Sequence, residues 1–172
     1  PGTDWPTTGY NKFGWSANYQ SAGVVKANGT MWAWGMNWMG TLGQNSETYF
    51  SSPVQIPGTT WKGISRGMRV GMGGTKTDGT LWVWGYNEYG QLGQNNRTQY
   101  SSPTQIPGST WHLVNGTFGT LAATKTDGTL WAWGYNLQGQ LGQNQVIPNH
   151  TKISSPVQVG TATDWSRPVA LG

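Results

Sequence analysis

The sequence predicts an all-β protein, a β-propeller assembled from blades of four antiparallel strands, and three observations lead there. First, Gly29-Thr30-Met31-Trp32-Ala33-Trp34-Gly35 returns as Gly79-Thr80-Leu81-Trp82-Val83-Trp84-Gly85 and again as Gly128-Thr129-Leu130-Trp131-Ala132-Trp133-Gly134, at offsets of 50 and 49 residues. Second, each copy completes an Asn-Gly or Asp-Gly pair set between two extended runs, the strongest short-range hairpin signal. Third, the apolar residues alternate with the period of two that belongs to strands, and no helical period competes with it. Repeats of about 50 residues, each carrying four short strands, have the size of a propeller blade.

Each unit is justified in chain order by its middle copy. Residues 63–66 form a short leading strand. Residues 70–76 and 80–84 then flank Thr77-Asp78-Gly79, read as a type I′ turn because both of its central residues need positive φ. Residues 125–129 repeat this turn, and Ala27-Asn28-Gly29 substitutes Asn-Gly. Within Leu81-Trp82-Val83-Trp84 the aliphatic residues fall on one face and the indoles on the other, so the strand must be covered on both sides. Next come Asn37, Asn87 and Asn136, then Gly-x-Leu-Gly-Gln-Asn at residues 40–45, 90–95 and 139–144, read as a tight structured turn. A polar loop follows at 46–50, 96–100 and 145–153, and its variable length absorbs the difference in period. Residues 103–106 supply the last strand, opening on a proline that suits a sheet edge. Trp61, Trp111 and Trp165 open the next unit. The units therefore run over 1–57, 58–107 and 108–160, with the start of a fourth at 161–172.

These residues resemble a known family. Gly-Thr-Leu-Trp-x-Trp-Gly, x-Asn-x-x-Gly-Gln-Leu-Gly, and Ser-Ser-Pro-x-Gln-Ile before a Trp form the pattern of RCC1-type repeats (regulator of chromosome condensation), and the resemblance extends over nearly the whole chain. It implies a propeller, usually of seven blades, whose members mostly bind other macromolecules. One departure is the histidine that the family often places in the strand before the hairpin; near that position this chain has Gly71 or Thr120.

The phase of the ends adds an expectation about assembly. Residues 1–5 match 57–61 and 107–111, and 165–172 match the opening of a unit, so the chain reads as three complete units and part of a fourth. It opens on Pro1, as a processed product or a piece of something longer would. Three blades cannot close a ring of the family's size, and open blade faces would expose apolar surface beyond what a monomer tolerates. Other blades are therefore expected, from further sequence or from neighbouring chains. The first unit is six residues longer between its opening Trp5 and Gly29 than the second is between Trp61 and Gly79, which places a unit-specific loop near residues 7–15.

Composition narrows the chemistry. With no Cys among 172 residues there is no disulfide framework or thiol nucleophile. No run of about 18 apolar residues marks a membrane-spanning helix. Only 9% of residues are charged, and the net charge of +4 is scattered. Lys62, Arg66 and Arg69 form the one local basic cluster, too little for a nucleic-acid footprint. Of the acids, Asp78 and Asp127 belong to the hairpin turns, Asp4 and Asp164 precede repeat tryptophans, and Glu47 and Glu88 lie in loops without a partner, so no acid/base pair is formed. His112 and His150 have no metal-ligand spacing. The Gly71–Gly74 run lacks the Lys and helix of a phosphate loop and reads as a close blade contact. No catalytic residue, cofactor or metal is expected, and the sequons at Asn28, Asn96, Asn115 and Asn149 carry little weight.

The tryptophans divide in two. Nine of the 12 recur in register and are expected to pack blades: Trp32, Trp34, Trp61, Trp82, Trp84, Trp111, Trp131, Trp133 and Trp165. Trp15, Trp38, Tyr49, Phe50, Tyr89 and Tyr100 lie in or beside turns and loops, where aromatic residues offer contact area at low entropic cost, and these are the candidate partner-binding residues. The expected function is a non-catalytic structural or adhesive module binding other protein chains or further blades, outside the cell or on a virion surface, as the resemblance to bacterial surface and phage structural proteins suggests. The alternative is a soluble, possibly cytoplasmic, regulator or inhibitor that grips a partner protein with one propeller face, with no specific nucleic acid bound.

Overall fold

A computed structural model describes residues 15–17, 20–65, 71–117, 119–144 and 152–166, the first segment by its backbone alone. Twelve strands form three four-stranded antiparallel sheets, each taken up in chain order. Blade one comprises β1 (Trp15–Ala17), β2 (Ser21–Val25), β3 (Met31–Gly35) and β4 (Phe50–Ile56). Blade two comprises β5 (Trp61–Ile64), β6 (Gly71–Lys76), β7 (Leu81–Gly85) and β8 (Tyr100–Ile106). Blade three comprises β9 (Trp111–Gly116), β10 (Thr120–Lys125), β11 (Leu130–Tyr135) and β12 (Lys152–Gln158). The predicted class, an all-β stack of propeller blades, is the observed one.

The central hairpins keep the predicted pairing, with Gly74 opposite Trp82 and Val24 opposite Trp32. The turn type is a correction. Gly29, Gly79 and Gly128 have φ near +79°, but Asn28, Asp78 and Asp127 are not among the residues of positive φ. The turn closes instead from Gly79 N–H to Lys76 C=O (3.0 Å) and from Lys76 N–H to Thr80 C=O (2.9 Å). That is the three-residue loop in which a glycine bulge follows an ordinary type I turn. The Asp carboxylate faces forward and accepts from the Thr80 amide (3.0 Å) and hydroxyl (2.7 Å). The leading and final strands also differ from expectation: β5 begins at Trp61, and β8 begins at Tyr100, so Pro103 sits inside the edge strand.

The blades stack through the two faces anticipated from alternation. Met31, Ala33, Leu42 and Ile56 of blade one meet Trp61, Met72 and Trp84 of blade two in one core. Leu81, Val83, Leu92 and Ile106 of blade two meet Trp111, Leu121 and Trp133 of blade three in the next. Aliphatic residues thus face the following blade and indoles face the preceding one. Gly74 permits the close approach expected of the Gly71–Gly74 run: a Cβ there would stand 2.7 Å from Met31 Cε.

Each joint is keyed by the second tryptophan of the repeat. The ladder between the third and fourth strands shifts register at Trp84 and Trp133, and the following Gly85 and Gly134 have φ of +104°. Such a bulge re-aims a side chain, and here it aims an indole at the preceding blade. Trp84 Nε1–H donates to Thr41 C=O at 2.8 Å, and Trp133 Nε1–H donates to Gln91 C=O at 2.9 Å. Both indoles are completely buried. The backbone adds bonds from Trp61 N–H to Gly29 C=O and from Trp111 N–H to Gly79 C=O, both 2.9 Å. Trp165 N–H makes the matching bond to Gly128 C=O at 3.1 Å. Its ring departs from the packing role expected of it, being 43% exposed where Trp61 and Trp111 are nearly inaccessible. Those two are covered edge-on by Trp84 and Trp133, the keys of the blades they open; among the described residues no further blade offers Trp165 such a ring.

Candidate functional site

The segments that leave the third strand of each blade emerge at one end of the stack, and a buried asparagine shapes each of them. Asn87 Oδ1 accepts from Leu92 N–H at 2.9 Å, while its Nδ2 donates to Asn96 C=O at 3.2 Å and Thr98 C=O at 2.8 Å. Asn37 does the same for Leu42, Ser46 and Thr48, and Asn136 accepts from Leu141 N–H. One amide therefore replaces the backbone partners that an irregular loop lacks. This fixes the residues immediately after it, including the aromatic ones.

Those aromatic side chains form a continuous row across the three blades. Trp38 of blade one stacks on Tyr86 of blade two, with centroids 5.9 Å apart and planes at 24°. Tyr86 meets Tyr89 edge-on at 6.0 Å, and Tyr89 meets Tyr135 of blade three edge-on at 5.0 Å. Gly119 leaves room for the last contact, since a Cβ there would lie 2.9 Å from Tyr89 Cδ2. Trp38 is 45% exposed and Tyr49, in the adjoining loop, 57%.

A shallow cleft of about 290 Å³ opens beside the row, lined by Tyr86, Asn87, Glu88, Arg97 and Gln99. The Tyr86 hydroxyl donates to Glu88 Oε2. Burial first, and this carboxylate second, push the phenol up to about 12, so it stays a neutral donor. Lys152 lies 4.0 Å from Glu88 and 5.0 Å above the Tyr89 ring. Glu47 accepts from Gln99 Nε2 at 2.8 Å, tying the loops of blades one and two together. Every described carboxylate named in these contacts or in the hairpin turns has its own partner, and none faces another. Among the described residues no group of three or more His, Asp or Glu is placed to hold a metal.

The six candidate partner-binding aromatics are distributed unevenly over this surface. Trp38 and Tyr89 belong to the row and Tyr49 lies beside it. Phe50 and Tyr100 open β4 and β8 and pack against the two blade cores, and the Tyr100 hydroxyl accepts from Asn96 Nδ2 at 3.1 Å. The Trp15 side chain lies outside the described residues, as do Arg66, Arg69 and His150. Sequence reasoning missed Tyr86 and Tyr135, whose shared position directly after Trp-x-Trp-Gly was the available signal. It also missed a second repeated arrangement. Lys76 Nζ sits 4.8 Å over Trp61 and 4.0 Å over Trp82, and Lys125 repeats this with Trp111 and Trp131 at the same two distances. Each ammonium is enclosed between two indoles, a cation–π contact that closes the side of a blade joint.

The geometry defines a class: β-propeller blades joined face to face, carrying an aromatic contact surface at one end and no assembled reaction centre among the described residues. The particular family follows from the comparisons. The regulator of chromosome condensation (RCC1) repeat matches residues 78–112 and 127–172, and the chain is an RCC1-repeat protein. Its structure is similar to that of human WBSCR16, with a TM-score of 0.71 at 19% identity over 85% of this chain and 38% of that one. It is similar to yeast RCC1 (Prp20) in complex with Kap60, with a TM-score of 0.74 at 17% identity over 86% and 35% of the two chains. It is also similar to Prp20p from Saccharomyces cerevisiae, whose binding to Gsp1p and histones has been described, with a TM-score of 0.72 at 16% identity over 86% and 38%. The chain thus spans a little over a third of the length of these structures. No curated protein sequence matches it.

Proposed function

We propose that the chain is a non-catalytic module that makes protein–protein contacts through the aromatic end of its blade stack, as a structural or adhesive part of an assembly outside the cell or in a virion. The observation that carries this reading is the Trp38–Tyr86–Tyr89–Tyr135 row, flanked by exposed Tyr49. Rigid aromatic rings with polar neighbours are the residues that anchor protein interfaces. A surface with few charges, no Cys and loops rich in Ser, Thr, Asn and Gln supports the extracellular setting. The engaged carboxylates support the absence of catalysis.

The test is fractionation of the native source together with a Trp38→Ala/Tyr49→Ala variant, both substitutions being at exposed positions. The wild-type chain should co-sediment with a particle or envelope, and the variant should be retained there at least several-fold less. A chain found free in solution overturns the structural reading in favour of a soluble regulator or inhibitor. Equal retention of the variant removes the aromatic row as the contact.

A further inference from the structure

The two blade joints specify what would cover the outer face of blade three. At the first joint, a Cβ on Gly40 would stand 2.4 Å from Ser101 Cα, and one on Gly43 would stand 3.0 Å from Trp84 Nε1. At the second, Gly90 abuts Ser154 at 2.6 Å and Gly93 abuts Trp133 Nε1 at 2.8 Å. Asn45 N–H donates to Ser101 C=O at 2.8 Å, and Asn95 N–H donates to Ser154 C=O at 2.7 Å. Ser102 and Ser155 hydroxyls reach Asn45 Oδ1 and Asn95 Oδ1 at 3.3 and 3.2 Å. A joint is therefore a socket of Gly-x-Leu-Gly-Gln-Asn filled by the Trp and Ser-Ser-Pro of the next blade.

Blade three presents the same socket already formed. Gly139, Gly142 and Asn144 have φ of +76°, +63° and +50°, matching their counterparts in blade two. Leu141 is buried beneath them and bonded to Asn136. What differs is the cover. A Cβ at Gly139 would meet nothing within 4 Å, and one at Gly142 would meet only Val159 of its own blade. Gln140 is exposed where Gln91 is 3% exposed, although both side chains cap the turn in the same way. Leu130 and Val159 are half-buried where Leu81 and Ile106 are inaccessible. The matching insert is carried at the other end of the same chain. Ser51, Ser52 and Pro53 are exposed where the serines and proline of β8 are half-buried, and Trp34 occupies the key position of Trp84.

We infer that the outer face of blade three binds blade one of a second copy of this chain, head to tail. In that contact Trp34 Nε1–H donates to Gln140 C=O, and Ser51 of the incoming copy lies on Gly139 with its C=O accepting from Asn144 N–H. The surface is heterologous, so repeated use closes a ring or extends a row of copies according to the rotation per joint. The inference rests on the joints between blades and not on the aromatic end, so either can fail without the other.

Two substitutions at exposed positions separate the halves. Gln140→Arg places an unpaired cation in the socket, and Ser51→Arg places a bulky charge where the serine must lie flat on Gly139. Sedimentation velocity of the 172-residue chain, up to roughly 100 µM where a micromolar contact is saturated, should show dimers or larger species. Each variant alone should associate at least about 100-fold more weakly, as burial of an unpaired charge requires, with unchanged circular dichroism. Mixed together they should form a dimer, because one intact socket meets one intact insert. A monomeric wild-type chain overturns the inference. So does a mixture that stays monomeric, which is the behaviour of a symmetric face-to-face contact.

Discussion

Asn87 carries three backbone hydrogen bonds on one amide at 1% exposure. Asn87→Ala should therefore lower stability by about 2 to 4 kcal/mol, the loss expected when several buried backbone groups are left unpaired. Thermal denaturation followed by circular dichroism would measure it, and a loss below half the lower figure would show that water satisfies the loop instead. The glycines of the repeat allow a cleaner comparison. Gly93 and Gly142 share a φ of +63°, so an alanine at either position pays the same backbone strain of about 1 kcal/mol. At Gly93 its Cβ must also displace Trp133 and Ile106, whereas at Gly142 it meets only Val159. Gly93→Ala should be the more damaging by about 1 to 3 kcal/mol in denaturant melts at a concentration where the chain is monomeric, as overpacking in a dense core is. Equal effects would mean that the joint yields. Neither role was legible beforehand: the repeat marked both residue types as recurrent, but recurrence does not say which atoms an amide bonds or what a missing Cβ makes room for.

At the scale of the element, the hairpins were legible in outline and misread in detail. Asp-Gly signals a turn correctly, yet whether Asp takes positive φ depends on what its carboxylate can bond. Here Thr80 and Thr129 stand two residues ahead with both an amide and a hydroxyl to offer, and each hydroxyl then accepts from Trp82 or Trp131 Nε1–H at 2.8 and 2.9 Å. Those bonds hold both carboxyls below the usual carboxylate range, the Thr side chain first and its amide second. The linked stability is present above the unfolded value near 3.8 and lost as pH falls through the lowered folded value. Blade one uses Asn28 in the same bonds, at 3.1 and 2.8 Å, and has nothing to titrate there. Asp78→Asn/Asp127→Asn should accordingly keep the hairpins at neutral pH and flatten the fall in stability below pH 4. Urea melts between pH 2 and 6 would show it, and an unchanged acid slope in the double variant would contradict the assignment.

For the whole molecule, the fold was legible because three copies of one pattern repeat a period, and alternation alone indicated that both faces of every blade need cover. The site was less so. Its row is made by contacts between residues of different units, Trp38 with Tyr86 and Tyr89 with Tyr135, which no single repeat displays. Blade two alone has a described neighbour on each side. In a quasi-linear stack each unit is stabilised by its own packing and by its joints, so amide exchange at low concentration should be slowest in β6 and β7. It should be faster in β11 and β12, by roughly 10-fold or more if even 1.4 kcal/mol separates the openings. Uniform protection across the three blades would indicate a single cooperative unit insensitive to joint number.

The keyed joint also bears on how such a chain can change its length. Every contact between blades runs from one period to the same position in the next, as from Trp84 to Thr41 and from Trp133 to Gln91. Loss of residues 61–110 would bring Trp111 directly after Thr60 and lay Trp133 against the Gly43 turn, with no bond type altered. Recombination between misaligned copies of the coding repeat is therefore neutral to packing whenever it removes or adds a whole period, and disruptive whenever it does not. Blade number is the quantity that heredity can vary most cheaply here, while the chemistry of each joint stays fixed.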